Sequence, residues 1–493
     1  MTKGALFDLS KSSILYGMQC EKRLYWHVKE RASATPPDAA TLALMEEGKT
    51  VEAEARKRFP QGVLITAPSY HSAEALILTQ AAMARGEQTL FQAAFLHEGV
   101  FVRVDILDRL PSGEWRLIEV KAGTRVQRKH LPDVAIQYWT ARGADLRVKR
   151  CEVMHLNKEC IHPNLDDLFV FTDVTPRLAD VQKTCSALVK RFRNVLALNE
   201  VPARDMGRHC RHPTACTFEE RCRKSLAIPT VSVFNIPKLE TRIKWELHRK
   251  GHVQLSAVPA ELLTPLQRRM VDSTVMGKRF VNHNAIARAI AAWKAPLYYL
   301  DFETISPLVP MYAGMHPGDA FPFQFSVRTL VSDQVVEKAY LHEDPSDPRP
   351  ALTQALLAAI GSIGSIVTYN RSSEKGALLA LANSATKPAA LRLRDIASRL
   401  VDALPIMRAH VYDPAFGGSF SLKDVAPALL GLAYDHLMVG DGQAAQRAFM
   451  RLLSDECPAE EKQTLRSAML RYCGQDTEVL VRLSAWLFAQ SAA

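Results

Sequence analysis

No apolar run in this 493-residue sequence reaches the roughly 20 residues needed to cross a bilayer. The opening MTKGALFDLSKSS lacks the apolar core of a secretory leader, so the expected setting is cytoplasmic, with no membrane partner. No phosphate-binding loop of the Gly-x4-Gly-Lys-Ser/Thr type is present, and movement along a polymer would need a separate motor. Cysteine is sparse and odd in number, nine in all, which without a secretion signal argues against a disulfide framework. Cys151, Cys160, Cys185, Cys457 and Cys473 are scattered and read as small buried residues.

What is there is a folded α/β protein too long for one core. Hydrophobic content is 47% and charged content 23%, and the length fits two or three domains. A formal net charge of +10 favours a polyanionic partner. Basic clusters at residues 125–130 (RVQRKH), 147–150 (RVKR) and 190–193 (KRFR) read singly as solvated faces, but they crowd in sequence around the motif that follows.

Residues 101–107 alternate apolar with other side chains, 111–114 carry turn chemistry, and 115–120 form a second run, so two adjacent strands are expected. Glu119 and Lys121, two apart, share a face, and Asp105 on the neighbouring strand can join them. Carboxylates of this kind hold Mg²⁺ or Mn²⁺, and an ammonium beside them orients an attacking water, which fits phosphodiester hydrolysis. The plainer alternative is a solvated face with a cross-strand ion pair. Residues 48–58 read as a helix carrying Glu52, and residues 131–142 as a helix carrying Gln137. Acid on a helix, Asp on a strand, Glu-x-Lys on the next, then Gln-Tyr on a helix resembles the RecB-like branch of the PD-(D/E)XK nucleases. The resemblance implies metal binding by Asp105 and Glu119, service of the nucleophilic water by Lys121, and support from Gln137. Glu52 stands where many relatives have a metal-binding His.

Residues 12–28 read as one aromatic-rich helix with Cys20 in its middle. Far downstream, Cys210, Cys216 and Cys222 recur at six-residue intervals, three thiols that a fourth, Cys20, can complete into a soft-metal site. With Lys22 and Arg23, this resembles the iron-sulfur RecB-like nucleases, including CRISPR-associated and AddB-type members. The resemblance covers about the first 225 residues as a domain-sized unit and implies a [4Fe-4S] cluster on those four cysteines; a structural zinc site is the other metal for such ligands.

Residues 228–294 read as a helical connector: a short extended piece at 231–236, a helix at 237–250 and another at 259–273. Residues 295–302 then form an apolar run, expected as a buried strand, leading into Asp301-Phe302-Glu303 with both carboxylates on one face. A strand pair (321–331 and 335–342), a helix (350–360), a strand (365–369) and a helix bearing Glu374 follow. A late helix (465–480) places Tyr472 and Asp476 four apart. This order resembles the DEDDy branch of the DnaQ-like 3′ to 5′ exonucleases, in the RNase H-like fold. The resemblance implies that Asp301, Glu303, Glu374 and Asp476 hold two divalent ions while Tyr472 orients the nucleophile. Glu374 stands where an Asp is usual, and Asp402 is an alternative acid read as structural. Ser421 is expected to cap a helix and Lys423 to meet phosphate.

Gly314, Gln324, Arg349 and residues 418–423 also resemble a bacterial family in which the two nuclease types are fused along the whole chain. The expected organisation is therefore an α/β protein of three parts. A PD-(D/E)XK restriction-endonuclease-like domain spans 1–227, a helical connector 228–294, and an RNase H-like exonuclease domain 295–493. Its expected activity is metal-dependent hydrolysis of DNA, from ends or on single strands, in repair, recombination or defence. RNA as the substrate, with the first domain as a platform, and a non-catalytic nucleic-acid-binding module are the alternatives.

Overall fold

The computed structural model describes residues 7–68, 71–331 and 334–492; residues 1–6, part of the stretch searched for a leader, lie outside the described residues. The chain divides into two compact units, Met1–Ala227 with Pro307–Gly318, and Ile228–Ser306 with Asp319–Ala493.

The first unit is built on a seven-stranded sheet. Strands β2 (Val63–Leu64), β3 (Thr89–His97), β4 (Val100–Arg109), β5 (Trp115–Lys121), β6 (Val148–Leu156) and β7 (Phe169–Asp173) lie in that order, and β1 (Leu9–Ser10) pairs with β4. β3, β4 and β5 are antiparallel neighbours, while β5 and β6 run parallel. Apolar side chains leave on both faces, so both are covered. Val102, Val104 and Leu117 pack with Val134 and Ala135 of helix α5 (His130–Gly143) and with Val189 and Phe192 of α6 (Ala179–Ala197). Phe91, Ile106 and Ile118 pack with Val51 and Ala55 of α3 (Ala39–Lys57). The expected strands and the two helices bearing Glu52 and Gln137 are present. The expected single helix at 12–28 is two, α1 (Lys11–Gln19) and α2 (Glu21–Lys29), because Cys20 takes an extended backbone, φ −163° and ψ 122°. Helix α4 (Ser72–Ala84) and the short α7 (Glu219–Ser225) complete the unit's helices among the described residues.

The second unit holds a five-stranded sheet of order β11-β10-β9-β12-β13, formed by β9 (Leu297–Ile305), β10 (Phe321–Val331), β11 (Gln334–Leu341), β12 (Ser365–Thr368) and β13 (Leu400–Asp402). The first three are antiparallel, and β12 lies parallel to β9. Period two divides β9: Leu300 and Phe302 enter a core with Leu352, Leu356, Leu378 and Ile396, from helices α11 (Pro348–Ala359), α12 (Arg371–Ser384) and α13 (Lys387–Ser398). Tyr299 on the other face meets Leu480 of the long helix α17 (Ala459–Ser491), which spans more than the 465–480 expected. Asp301 and Glu303 lie on this second face.

The segment expected as a connector packs its helices into this unit: Met270 of α9 (Pro265–Met276) and Ile286 of α10 (His283–Ile290) join Met407, Leu483 and Leu487. Its details differ from expectation. Residues 231–236 are not extended, because Ser232 and Asn235 form a reciprocal cap around a 3₁₀ turn. The second helix does not begin at 259: a 3₁₀ turn ends at Leu262, then Thr264 and Gln267 cap α9 with Pro265 in its first turn. The first connector helix, α8, is Thr241–Arg249.

Gly364, before β12, has φ +91°, and a Cβ built on it would stand 2.0 Å from the carbonyl oxygen of Pro296. The obstacle is backbone, at the residue just before β9, the strand that carries Asp301. Gly364→Ala is expected to destabilise the protein by about 4 kcal/mol or more, read as a shifted urea midpoint at unchanged slope; an unchanged midpoint counters this.

Candidate active sites and a four-thiol site

In the first unit the β4–β5 ladder is paired as far as Ile106 and Ile118. At the next position Asp105 accepts the Val120 N–H with its carboxylate at 2.9 Å. The β3–β4 ladder has a break at the same level: Phe91 pairs with Ile106 and Ala93 with Val104, while Gln92, between them, takes φ +58°. A non-glycine residue held there inside a strand is strained, and such irregularities gather at functional sites. The Gln92 amide donates to Glu52 Oε1 at 2.7 Å and to Asp105 Oδ1 at 3.3 Å. Glu52 also pairs with Arg56 at 2.5 Å, so it reaches Asp105 through Gln92.

Glu119 is 2% exposed. Its Oε1 receives Lys121 Nζ at 2.5 Å and its Oε2 the Gln137 amide at 2.6 Å. Two further residues belong to the group. Asp133, one turn before Gln137 on α5, accepts Lys121 at 2.8 Å, and Lys11 at the start of α1 lies 2.9 Å from Asp133 and 3.5 Å from Glu119. Burial opposes the charge on both lysines, but Glu119 and Asp133 outweigh it and hold both ammonium groups above their ordinary range. Asp105 is pushed up to about 7 by burial and then by Glu119. Gln137 Oε1 is buried without a hydrogen-bond partner. Of the predicted residues, Glu119, Lys121 and Gln137 are in direct contact, Asp105 lies beside them, and Glu52 is one bridge away.

The basic clusters divide. Arg125, Arg128 and Lys129 are exposed on the loop following Lys121. Residues 147–150 instead lie at the opposite end of β5: Trp115 pairs with Val148 and Lys121 with His155, about 20 Å along the strand. Arg150 and Lys149 are engaged with Glu152 and Glu114. In 190–193, Arg191 pairs with Glu21 and Arg193 with Asp8.

Cys20, Cys210, Cys216 and Cys222 line one small cavity together with Lys22 and Arg23. The break at Cys20 sets that cysteine between α1 and α2. Beside it the Gln19 amide donates to the carbonyls of His209 and Thr214, tying the two ends of the unit together. Burial pushes the thiols of Cys210 and Cys216 up and that of Cys222 to about 11. Neighbouring Arg23 acts the other way on Cys216 and Lys22 on Cys222, favouring thiolates. Among the described residues, the trio of His, Cys, Asp or Glu ligand atoms lying within 4.8 Å of one another is Asp301, Glu303 and Cys473.

In the second unit Asp301 and Glu303 on β9, Glu374 on α12 and Asp476 on α17 act on one another. Glu303, Glu374 and Asp476 are 6%, 4% and 8% exposed. Burial, then Asp476, Glu303 and Glu374, hold the Asp301 carboxyl well above the carboxylate range. Burial and then Asp476 push Glu303 up to about 8, burial takes Glu374 to about 8, and Asp476 rises to about 6. One Oε of Glu374 is buried with no partner. Lys423 is the nearby cation: it acts on Glu303 and Asp476, donates to the Gly440 carbonyl at 2.5 Å and lies 5.1 Å from the Tyr472 ring. Tyr434, absent from the sequence reading, donates to Asp476 at 2.5 Å. Three buried acids and the half-buried Asp301, facing one ammonium with a lone carboxylate oxygen among them, fit hard divalent cations.

Asp402 is structural, as read. It accepts the N–H groups of Asn370, Arg371 and Leu404, fixing the turn at Asn370 (φ +86°) from which α12 carries Glu374 inward. Ser421 occupies the cap position of helix α15 (Leu422–Leu430), but its hydroxyl goes to Asp424 rather than to a backbone N–H.

Acids with raised folded pKa values bind more protons folded than unfolded, so stability falls as pH climbs from the unfolded value near 4.5 through about 8 for Glu303 and Glu374. Metal-free protein is expected to lose stability between pH 5 and 8.5 by on the order of several kcal/mol, a loss that Mn²⁺ reverses. Thermal midpoints in EDTA and in Mn²⁺ across that range check this; midpoints that rise with pH in EDTA contradict it.

No curated protein matches the sequence. A family model described as a domain of unknown function, DUF2779, matches residues 298–421, which take in Asp301, Glu303 and Glu374 and end before Tyr472 and Asp476. Among solved structures, an alkaline exonuclease (LHK-Exo) from Laribacter hongkongensis is similar at 13% identity and a TM-score of 0.24, over 39% of this chain and 91% of that one. A likeness at that score carries no weight for fold or chemistry.

Proposed function

We propose that this chain is a metal-dependent nuclease acting on DNA, with a RecB-like PD-(D/E)XK domain at 1–227 and a DEDDy-type exonuclease domain at 295–493, the residues between them serving as connector. The observation that supports it most is the meeting of Asp301, Glu303, Glu374 and Asp476, from three separate elements, with Tyr472 and Lys423 beside them.

Mg²⁺ or Mn²⁺ bound there supplies Lewis-acid activation of water and of the leaving oxygen. The protein's part is positional. Asp402 braces the turn that aims Glu374, Tyr434 holds Asp476, Tyr472 orients the attacking water, and Lys423 offers positive charge to the phosphate. In the first domain Asp105 and Glu119 are the metal-holding acids, with Glu52 reached through Gln92. Lys121 orients water, and Gln137 fixes Glu119. Cys20, Cys210, Cys216 and Cys222 are proposed to hold a [4Fe-4S] cluster. Their shared cavity with Lys22 and Arg23 supports it, and its role is to join the ends of the domain.

The test is anaerobic purification with an absorption spectrum and iron assay, then digestion of matched end-labelled DNA and RNA, single- and double-stranded, in Mg²⁺ and in Mn²⁺. A brown, iron-bearing protein that cuts DNA is expected. Cutting of RNA alone sinks the DNA reading, and no cutting in either metal favours a binding module.

A further inference from the structure

Cys473 sits next to Tyr472 on α17, fully buried at 0% exposure. A core cysteine ordinarily faces apolar neighbours. This one faces carboxylates: its Sγ lies 3.6 Å from Asp301 Oδ2 and 3.7 Å from the Asp301 carbonyl oxygen. One ligand atom each from Cys473, Asp301 and Glu303 lie within 4.8 Å of one another, close enough for one cation to reach all three. A second observation points to a cation site at the same place. The unpartnered Oε of Glu374, a residue 4% exposed, belongs to a carboxylate whose charge acts on Asp301 and Glu303.

We propose that Cys473 is a metal ligand, so that the pocket of Asp301 and Glu303 takes a borderline-soft divalent cation of the Zn²⁺ or Co²⁺ kind, which hard oxygen donors alone would not select. The inference rests on the metal-binding part of the reading above and deepens it. Two carboxylates and a thiolate are a donor set that Zn²⁺ accepts and Mg²⁺ does not, because Mg²⁺ demands oxygen ligands. On binding, the Sγ–H bond breaks, its proton leaves for solvent, and the sulfur lone pair forms the bond to the metal; no electron is transferred. Such a cation would compete with Mg²⁺ at the Asp301 side of the site, making the unit sensitive to zinc.

The test is titration of the full-length protein with CoCl₂, reading the thiolate-to-cobalt charge-transfer band as the difference between parent and Cys473→Ser, so that the other thiols cancel. One equivalent of Co²⁺ is expected in the difference, bleached by ZnCl₂. The band is expected to be lost in Asp301→Asn, whose thiol is intact. Zinc affinity is expected to fall by about tenfold or more in Cys473→Ser. Identical spectra of parent and Cys473→Ser overturn the proposal, as does a band that survives Asp301→Asn. Should circular dichroism show Cys473→Ser unfolded, Asp301→Asn and Glu303→Gln against the parent carry the same comparison. Mn²⁺-supported cleavage is scored on the same preparations. A Cys473-dependent band without cleavage sinks the nuclease reading and leaves the metal site, and cleavage without the band does the reverse.

Discussion

Asp301→Asn is expected to lower Mn²⁺-supported cleavage by the second unit by roughly a thousandfold, about 4 kcal/mol of transition-state stabilisation, while making the metal-free protein more stable. The second half of that expectation follows from the site's electrostatics. Asp301 is held well above the carboxylate range by burial and by Asp476, Glu303 and Glu374. When ionised it adds another negative charge to a pocket whose nearby cation is Lys423. An amide of the same shape removes that repulsion and the desolvation of one carboxylate. In EDTA near pH 8 the thermal midpoint of Asp301→Asn should therefore exceed the parent's, and added Mn²⁺ should raise it less. Loss of activity together with a lowered midpoint in EDTA would show instead that Asp301 serves the fold, and unchanged cleavage would place the chemistry outside this pocket.

Lys121→Met is expected to act in the opposite sense on stability. Lys121 neutralises Glu119 and Asp133 at 2.5 and 2.8 Å, and Glu119 is 3% exposed at its side chain. With Lys121 gone, Lys11 alone faces two buried carboxylates and Asp105. Breaking one partner out of a buried ion-pair group costs about 3–5 kcal/mol. Asp105, already pushed up to about 7 and no longer lowered by Lys121, should then take up a proton, so the cost should shrink as pH falls below about 7. Cleavage by the first unit should fall by about a hundredfold or more with the loss of the residue that orients water. Urea melts at pH 5 and pH 8 beside the cleavage assay separate the two effects. A midpoint unchanged at pH 8 removes the ion-pair argument, and full activity in both Lys121→Met and Asp301→Asn is what a non-catalytic binding module requires.

The two acidic groups differ in a way that spacing alone does not reveal. In the first unit each acid already has a cation or amide: Lys11, Lys121, Gln92 and Gln137 hold Glu119, Asp133, Asp105 and Glu52. In the second unit the acids outnumber the bases and one Glu374 oxygen has no partner. Metal must therefore displace ammonium groups in the first pocket, whereas in the second it relieves repulsion. This difference makes the stability of the second unit the more sensitive reporter of cation binding.

Much of each pocket was legible because it is set by local period. Glu119 and Lys121, or Asp301 and Glu303, share a face because strands repeat every two residues. Tyr472 and Asp476 share one because helices repeat every 3.6. The break at Cys20 was missed because nothing in a run of helix formers marks a single extended residue. Asp133, four residues before Gln137 on one helix, had that same signal, whereas Lys11 and Gln92 carried none: Lys11 lies 108 residues from Glu119, and Gln92 matters through a backbone irregularity at which two strands separate.

The sequence by itself determined the kinds of element, the faces on which the acids and lysines stand, and the thiols available to a metal. These follow from periodicity and side-chain chemistry, which act over a few residues. Only the tertiary structure decided which of them meet. It sent residues 147–150 to the far end of β5, placed Tyr434 on Asp476, and turned Cys473 from a core residue into a neighbour of Asp301. Such encounters are settled by strand register and helix packing, where burying the apolar faces fixes the position of every polar group carried with them.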